Sequence, residues 1–231
     1  MYGELKQSRM MVRSRNFLIL LAVLFMVQGC WLEDDDATSY FFSSYVMAYQ
    51  LEPMGVQAKV KDKKIYLFPQ FERSVSYLSE GEDYVRYEEL CEEMGDVHYN
   101  RVVKLNPAGF PMTPELGVSF SPDIVSLQVV SDCEFDASHP AGSSLNDCVS
   151  IAYTSLAPYV ASGYKENHLR ESVVNLNELN TGNLNLLGKM NDSYLVLSFN
   201  KLPAETSCHN LTITVAFEDS QEYQCVVEYE F

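Results

Sequence analysis

LTITVAFEDSQEYQCVVEYEF, residues 211–231, decides the fold class. Tyr223, Cys225, Val227, Tyr229 and Phe231 place an apolar residue at every odd position, with Gln224, Val226, Glu228 and Glu230 between them. Leu211, Ile213, Val215 and Phe217 alternate in the same way with Thr212, Thr214 and Ala216. A period of two is the signature of a strand buried on one face. The polar run Glu218–Glu222 then joins two antiparallel strands as a hairpin. Aligning the apolar faces sets Cys225 opposite Ile213 or Val215. Cys208 then lies at least five residues further along, roughly 16 Å at ~3.3 Å per residue. A disulfide needs Cα atoms within about 7 Å, so Cys208–Cys225 is excluded.

Similar patterns recur upstream. Tyr194–Phe199 is apolar on both faces, as a central strand is. Further strands are expected at Val56–Val60, Ile65–Phe68, Val97–Leu105 and Ile124–Val130, with weaker patterns at Val149–Tyr153 and Val173–Leu176. Lys61–Lys64 reads as the turn between the first two of these, and Tyr40–Tyr49 as the first strand of the domain. One helix is expected, because Tyr84, Tyr87, Cys91 and Met94 share a face at spacings of three and four. Gly95 stands where a left-handed C-cap is wanted, and Ser79 or Asp83 is the candidate N-cap. Many short strands and one short helix imply a mainly β protein, an immunoglobulin-like antiparallel β-sandwich, with a partly closed β-barrel as the alternative.

The other end of the chain carries an address. Lys6, Arg9, Arg13 and Arg15 precede Phe17–Val27, an apolar run of 11 residues. As a helix it is about 16 Å long at ~1.5 Å per residue. That is too short for a hydrocarbon core of ~30 Å and suits a signal-peptide core. The long basic head is also consistent with a start at Met10 or Met11. The run ends in Val27-Gln28-Gly29-Cys30, which resembles the lipobox of bacterial lipoproteins, with Gln28 a departure from the small residues usual there. The resemblance implies cleavage before Cys30 and acylation of its thiol and new amino terminus. Two or three acyl chains hold a protein at a membrane stably, where one alone binds marginally. The chain then divides into a signal peptide (1–29), an acidic lipid-anchored tether (30–39) and a single β-sandwich-like domain (40–231). Glu33-Asp34-Asp35-Asp36 is similar to the acidic export signal of surface lipoproteins in gut Gram-negative bacteria. This implies an outer-membrane protein anchored by its acyl chains and facing outward, with the periplasmic face as the alternative.

The whole chain has 32 acids and 16 bases, a net charge of −16. Removing residues 1–29 takes away Glu4 and four bases, which leaves 31 acids against 12 bases, a charge of −19. So acidic a chain is repelled by nucleic acid, and Lys59, Lys61, Lys63 and Lys64 form a hairpin tip and no basic stripe.

Six cysteines are present, and assigning Cys30 to lipid leaves Cys91, Cys133, Cys148, Cys208 and Cys225, an odd number. Cys91 and Cys225 fall on apolar faces as small core residues. Cys133 and Cys148 are the candidate disulfide, closing the polar loop CEFDASHPAGSSLNDC. No CxxC or Cys/His pair has zinc-site spacing, so no metal and no cofactor are expected. Asp136 to Asp147 of this loop resembles a HPAGSSLND-like segment of surface lipoproteins of gut Gram-negative bacteria that have no assigned activity. The resemblance spans the lipobox, this loop and the final strand pair, and implies a setting without a chemistry.

Physically the loop reads first as structure. Pro140–Gly142 makes a turn, and Ser144-x-x-Asp147 has capping-box spacing. Its functional reading is a ligand or cation loop of Asp132, Glu134, Asp136, His139 and Asp147, since alternating acids can present oxygens to Ca²⁺. It departs from the EF-hand template at Ala137, where glycine is needed, and at Ser143, where a bidentate glutamate belongs. Ser162-x-x-Lys165 matches a penicillin-binding nucleophile motif but lacks its companions S-D-N and K-T-G. His98, His139, His168 and His209 show no local partner pattern, and no catalytic residues are assigned. The expectation is a non-enzymatic binding or assembly module with an envelope protein or glycan partner. The alternative is a small exported hydrolase using acidic residues.

Overall fold

The computed structural model describes residues 38–105, 117–165, 171–184, 186–188, 194–205 and 208–231. The expected signal peptide, Cys30, Trp31, His168 and all but the end of the expected tether lie outside these residues. The chain groups into two units, and the elements below belong to the second, Phe41–Val103 with Thr113–Phe231, except where β1 (Thr38–Phe42) and β4 (Arg101–Leu105) reach into the first.

A long hairpin comes first. β2 (Val46–Lys61) and β3 (Lys64–Ser76) pair antiparallel down to Lys61↔Lys64. Asp62 and Lys63 between them both have positive φ, 52° and 58°, as a two-residue hairpin turn matched to strand twist requires. The Lys61–Lys64 turn is therefore where the sequence places it, and both strands extend well beyond the expected segments. The Tyr40–Tyr49 segment is divided between β1 and the start of β2, because the chain bends over Ser43–Tyr45.

Helix α1 (Glu82–Glu93) buries Tyr87, Leu90 and Cys91, while Tyr84 is 38% exposed. Gly95, at φ 71°, closes it: its N–H donates to the Glu92 carbonyl (3.0 Å) and Asp96 N–H to that of Cys91 (2.7 Å), a Schellman ending. The N-cap differs from expectation. Gly81 occupies it without a side-chain bond, and Ser79 Oγ instead accepts from Ser76 N–H at 2.9 Å.

β5 (Gly117–Phe120), β6 (Ile124–Ser131), β7 (Val149–Ser155), β8 (Ser172–Asn175), β9 (Leu187–Gly188), β10 (Leu195–Phe199), β11 (Cys208–Phe217) and β12 (Glu222–Glu230) complete the strands. One sheet runs β5-β2-β3-β10-β7-β8, with β9 also on β7, and a second runs β12-β11-β6. Leu195, Leu197, Ile151 and Ile65 from the first and Leu211, Ile213, Val215 and Val129 from the second all lie in one buried core. The protein is thus mainly β and sandwich-like, and its described sheets do not close into a barrel. Two details differ from the expected pattern. β2 and β5 pair in parallel, and a second short helix, α2 (Ala157–Ala161), follows β7. β10 is central, between β3 and β7, with Leu195 and Leu197 buried in the core and Val196 and Ser198 half-buried on the other face. In the last hairpin Ile213 pairs with Cys225 and Cys208 with Glu230, so the two cysteines are apart as the alternation requires. Among the described residues no helix is long and apolar enough to cross a membrane.

Candidate functional site

The segment between β6 and β7 is held from both ends. Asp132 accepts from Asn210 of β11 through N–H (2.9 Å) and Nδ2 (2.7 Å), so it belongs to the sheet and does not face the other acids. Glu134 is exposed. Phe135, 1% exposed, is an apolar peg that stacks on Phe199 at 5.7 Å and meets Phe231 edge-on at 5.5 Å. Gly142, at φ 82°, donates its N–H to the Ser131 carbonyl, and Ser143 N–H closes the turn on Pro140.

The returning half then lies along β6, an outer strand of its sheet. Leu145 N–H donates to the Val129 carbonyl (2.8 Å), and Asn146 Oδ1 accepts from Val129 N–H (3.0 Å). Asn146 Nδ2 donates to the Leu127 carbonyl at 2.9 Å. A side-chain amide so continues the ladder and covers a strand edge that would otherwise invite pairing with another chain. The short turn at Asn146–Cys148 forms, but it is a 3-10 turn without a capping box, because Asp147 points elsewhere.

Asp147 points to His139. Nε2 of that ring is 2.8 Å from Asp147 Oδ1, and Nδ1 is 2.8 Å from Asp136 Oδ1. Asp136 Oδ1 also accepts from the backbone N–H of Ser138 and His139, which fixes the carboxylate under the ring. Lys201, just beyond β10, donates to Asp147 Oδ2 at 2.7 Å. The result is a ladder of alternating charge, Asp136–His139–Asp147–Lys201. Hydrogen bonding to Asp136, and then to Asp147, raises the His139 pKa and favours imidazolium. The Lys201 ammonium, with His139, lowers Asp147 to about 2, and His139 lowers Asp136.

Cys148 is buried against this ladder, its sulfur 3.8 Å from His139 Nε2 and 3.6 Å from Asp147 Oδ1. Burial, and then the Asp147 charge, pushes its thiol up to about 11. The expected Cys133–Cys148 disulfide is absent: Cys133 is exposed, Cys148 is buried, and both are free thiols. The loop ends meet through backbone, Asn146 and carboxylate contacts, so no covalent bond is required to close it.

Of the four acids and one histidine expected to form a site, Asp136, His139 and Asp147 converge, while Asp132 and Glu134 do not. Sequence spacing missed Cys148 and Lys201. Lys201 is 54 residues from Asp147, so no local pattern could have linked them. Of the other histidines, His209 is fully buried with Nδ1 2.7 Å from Ser131 Oγ. Ser162 donates to the Tyr159 carbonyl and accepts from Lys165 N–H, so this Ser-x-x-Lys pair ends α2.

A second polar centre lies under α1. Asp96 is fully buried, and its carboxylate accepts from Tyr45 N–H, Val46 N–H (2.7 Å) and Tyr164 OH (2.7 Å). Burial raises its pKa, and these donors oppose the shift. Tyr87 OH donates to the Val46 carbonyl at 2.8 Å, so the same groups fix the start of β2 to the helix. This is a satisfied structural carboxylate.

No protein-family model, no curated protein and no solved structure matches the chain. The fold and site define a mainly β protein with an acid–imidazole ladder closing one loop of its sandwich.

Proposed function

We propose that this chain is a lipid-anchored cell-envelope protein, held at the outer membrane and facing outward, whose β-sandwich is a non-enzymatic binding or assembly module. The observation that carries the anchoring is the apolar run ending in Val27-Gln28-Gly29-Cys30, followed by the acids 33–36. The binding role is supported by an open groove on the long hairpin, lined by Met54, Phe68, Pro69, Phe71 and Tyr194. It lies where the β2 register shifts between Pro53 and Gly55, which leaves Met54 59% exposed. Its mixed lining, apolar and aromatic side chains together with Gln50 and Gln70, suits a protein partner. The only tryptophan, Trp31, belongs to the tether, so a tryptophan platform for sugars is missing from the domain. A hydrolase would need an acid or imidazole free to exchange a proton with substrate. Both nitrogens of His139 are engaged by carboxylates.

Metabolic labelling with an alkyne palmitate tests the anchor. Label is expected on the wild-type chain and absent from Cys30→Ser; an unlabelled wild type, or a labelled variant, sinks it. Protease shaving of intact cells decides the face, with degradation expected at the surface and protection arguing for the periplasm. For the groove, an envelope protein retained by the wild type should be lost by Met54→Glu, and equal retention by both removes the groove from the reading.

A further inference from the structure

The long hairpin carries opposite charge at its two ends. Lys59, Lys61, Lys63 and Lys64 at the turn are four of the 12 bases beyond residue 29. At the other end α1, residues 82–93, holds six acids and one base. Tyr87 of this helix bonds the Val46 carbonyl, and Asp83 pairs with Arg73, which lies opposite Leu51. Lys59 is eight residues beyond Leu51, roughly 26 Å at ~3.3 Å per residue. The helix is thus fixed where it cannot meet the lysines of its own chain. Two copies can bring one end of a molecule against the opposite end of the next.

The lysines border a sheet face turned away from the core. Ile65, Leu67, Leu195, Leu197 and Ile151 belong to the core, so their neighbours on each strand point out. The register sets Lys59, Tyr66, Val196, Ala152 and Val173 in one row across β2, β3, β10, β7 and β8. Lys61 and Lys64, a cross-strand pair, stand beside that row. Tyr66, Val196, Ala152 and Val173 line a depression together with Lys64 and Glu171, and Val173 is 60% exposed. Among the described residues Lys59, Lys61 and Lys64 form no ion pair. Lys63 differs, since its ammonium donates to the Glu230 carbonyl.

Helix α1 fits this row in length and in charge. Its 12 residues span ~18 Å at ~1.5 Å per residue, and four strand spacings of ~4.8 Å give ~19 Å. Tyr87, Leu90 and Cys91 are buried, which turns Val85, Glu88, Glu89 and Glu92 outward, with Val85 53% exposed. Arg86 takes Glu89 and Glu93, while Glu88 and Glu92 form no ion pair among the described residues. Seven residues separate Val85 from Glu92, ~10.5 Å along the helix, and Lys59 stands two strand spacings, ~9.6 Å, from Val196. Glu92 on Lys59 therefore sets Val85 on Val196. The negative C-terminal end of the helix then faces the lysines, and the positive N-terminal end faces Glu171. We propose that the protein assembles head to tail, with α1 of one copy lying across the Lys59–Val173 row of the next. The contact is heterologous, so it builds open rows or closed rings. One helix face is smaller than the ~800 Å² per partner of a standard interface, so each contact is weak and is felt where copies are concentrated. This extends the assembly role proposed above and uses neither the acyl anchor nor the Met54 groove.

The test is sedimentation of the full chain in density-matched detergent. The sedimentation coefficient is expected to rise with protein concentration. It should fall back when NaCl is raised from about 50 to 500 mM, which shortens the Debye length from roughly 14 to 4 Å. Lys59→Glu/Lys61→Glu/Lys64→Glu makes both ends acidic, and Glu88→Lys/Glu89→Lys/Glu92→Lys makes both basic. Each variant alone should associate at least about tenfold more weakly, since like charges then face each other. An equimolar mixture of the two should recover association, because every end again meets one of opposite sign. Loss of fold cannot produce that recovery, and circular dichroism reports the fold of each variant. If the helix variant unfolds, Glu92→Lys replaces it in the mixture. A wild type that stays monomeric, association unchanged by both variants, or a mixture no better than its components overturns the proposal. So does a monomeric wild type that binds poly-glutamate through the three lysines, which would give the face to a foreign acidic chain. Cys30→Ser should associate as the wild type does, so the anchor and the assembly fail separately.

Discussion

Replacing Asp123 by asparagine should stabilise this protein, and the gain should depend on pH. Asp123 sits between β5 and β6, where its backbone carbonyl accepts from Glu218 N–H at 2.9 Å. Its Oδ1 is buried without a hydrogen-bond partner. Burial, and then the Glu218 carboxylate, raises its pKa from 3.8 to about 6. A raised pKa means that the native state holds the proton more tightly than the unfolded chain. The contribution of this group to stability is therefore most favourable below about pH 3.8, falls as pH rises to about 6, and stays reduced above that. Two pKa units correspond to about 3 kcal/mol at ~1.4 kcal/mol per unit. Asp123 is only half-buried, and solvent screening reduces this to about 1–2 kcal/mol. Asp123→Asn removes the charge and keeps the shape. Urea unfolding of the full chain at pH 7 should show the variant more stable by that amount, through a higher midpoint at unchanged slope. At pH 3.5 the two proteins should coincide. A variant equal to or less stable than the wild type at pH 7, or a gain that persists undiminished at pH 3.5, refutes the electrostatic account.

Three more outcomes follow from the loop and the buried centre. Asn146→Ala leaves the Val129 N–H and Leu127 carbonyl without their side-chain partner, and should cost about 1–3 kcal/mol in urea unfolding, with faster hydrogen exchange at Val129. Tyr164→Phe removes a donor to the buried Asp96 carboxylate and should cost about 1.5–3 kcal/mol; an unchanged midpoint would show that the phenol contributes nothing there. In native chain treated with a maleimide at pH 8, Cys133 and Cys208 should label first, and Cys91 and Cys148 only on unfolding. A Cys133 that resists labelling until a reductant is added would instead restore the disulfide.

The elements legible in the sequence are those whose cause is local. Period-two alternation needs only that one face of a strand be buried, and it narrowed the partner of Cys225 to Ile213 or Val215 without any knowledge of the rest of the fold; the observed register pairs it with Ile213. Spacing of three and four located α1, and Gly95 its end, because a left-handed residue after a helix is a backbone requirement. The N-cap was not legible: Ser79 and Asp83 are both suitable acceptors, and tertiary placement gave Ser79 to Ser76 and Asp83 to Arg73. The loop was half legible. Asp136 and His139 are three residues apart and could meet in any tight turn, whereas Cys148 depended on whether its thiol turned toward Cys133 or inward.

By itself, the sequence determined the two-faced strands, the hairpin turns, the helix and the acid-rich composition, since each follows from the preferences of neighbouring residues. Only the tertiary structure decided the parallel pairing of β5 with β2, the amide of Asn146 lying along β6, and the burial of Asp96. It also brought Lys201 to Asp147 across 54 residues of chain. Those contacts have no local signature, because each satisfies a polar group that becomes exposed to need only after the two sheets have closed on their core.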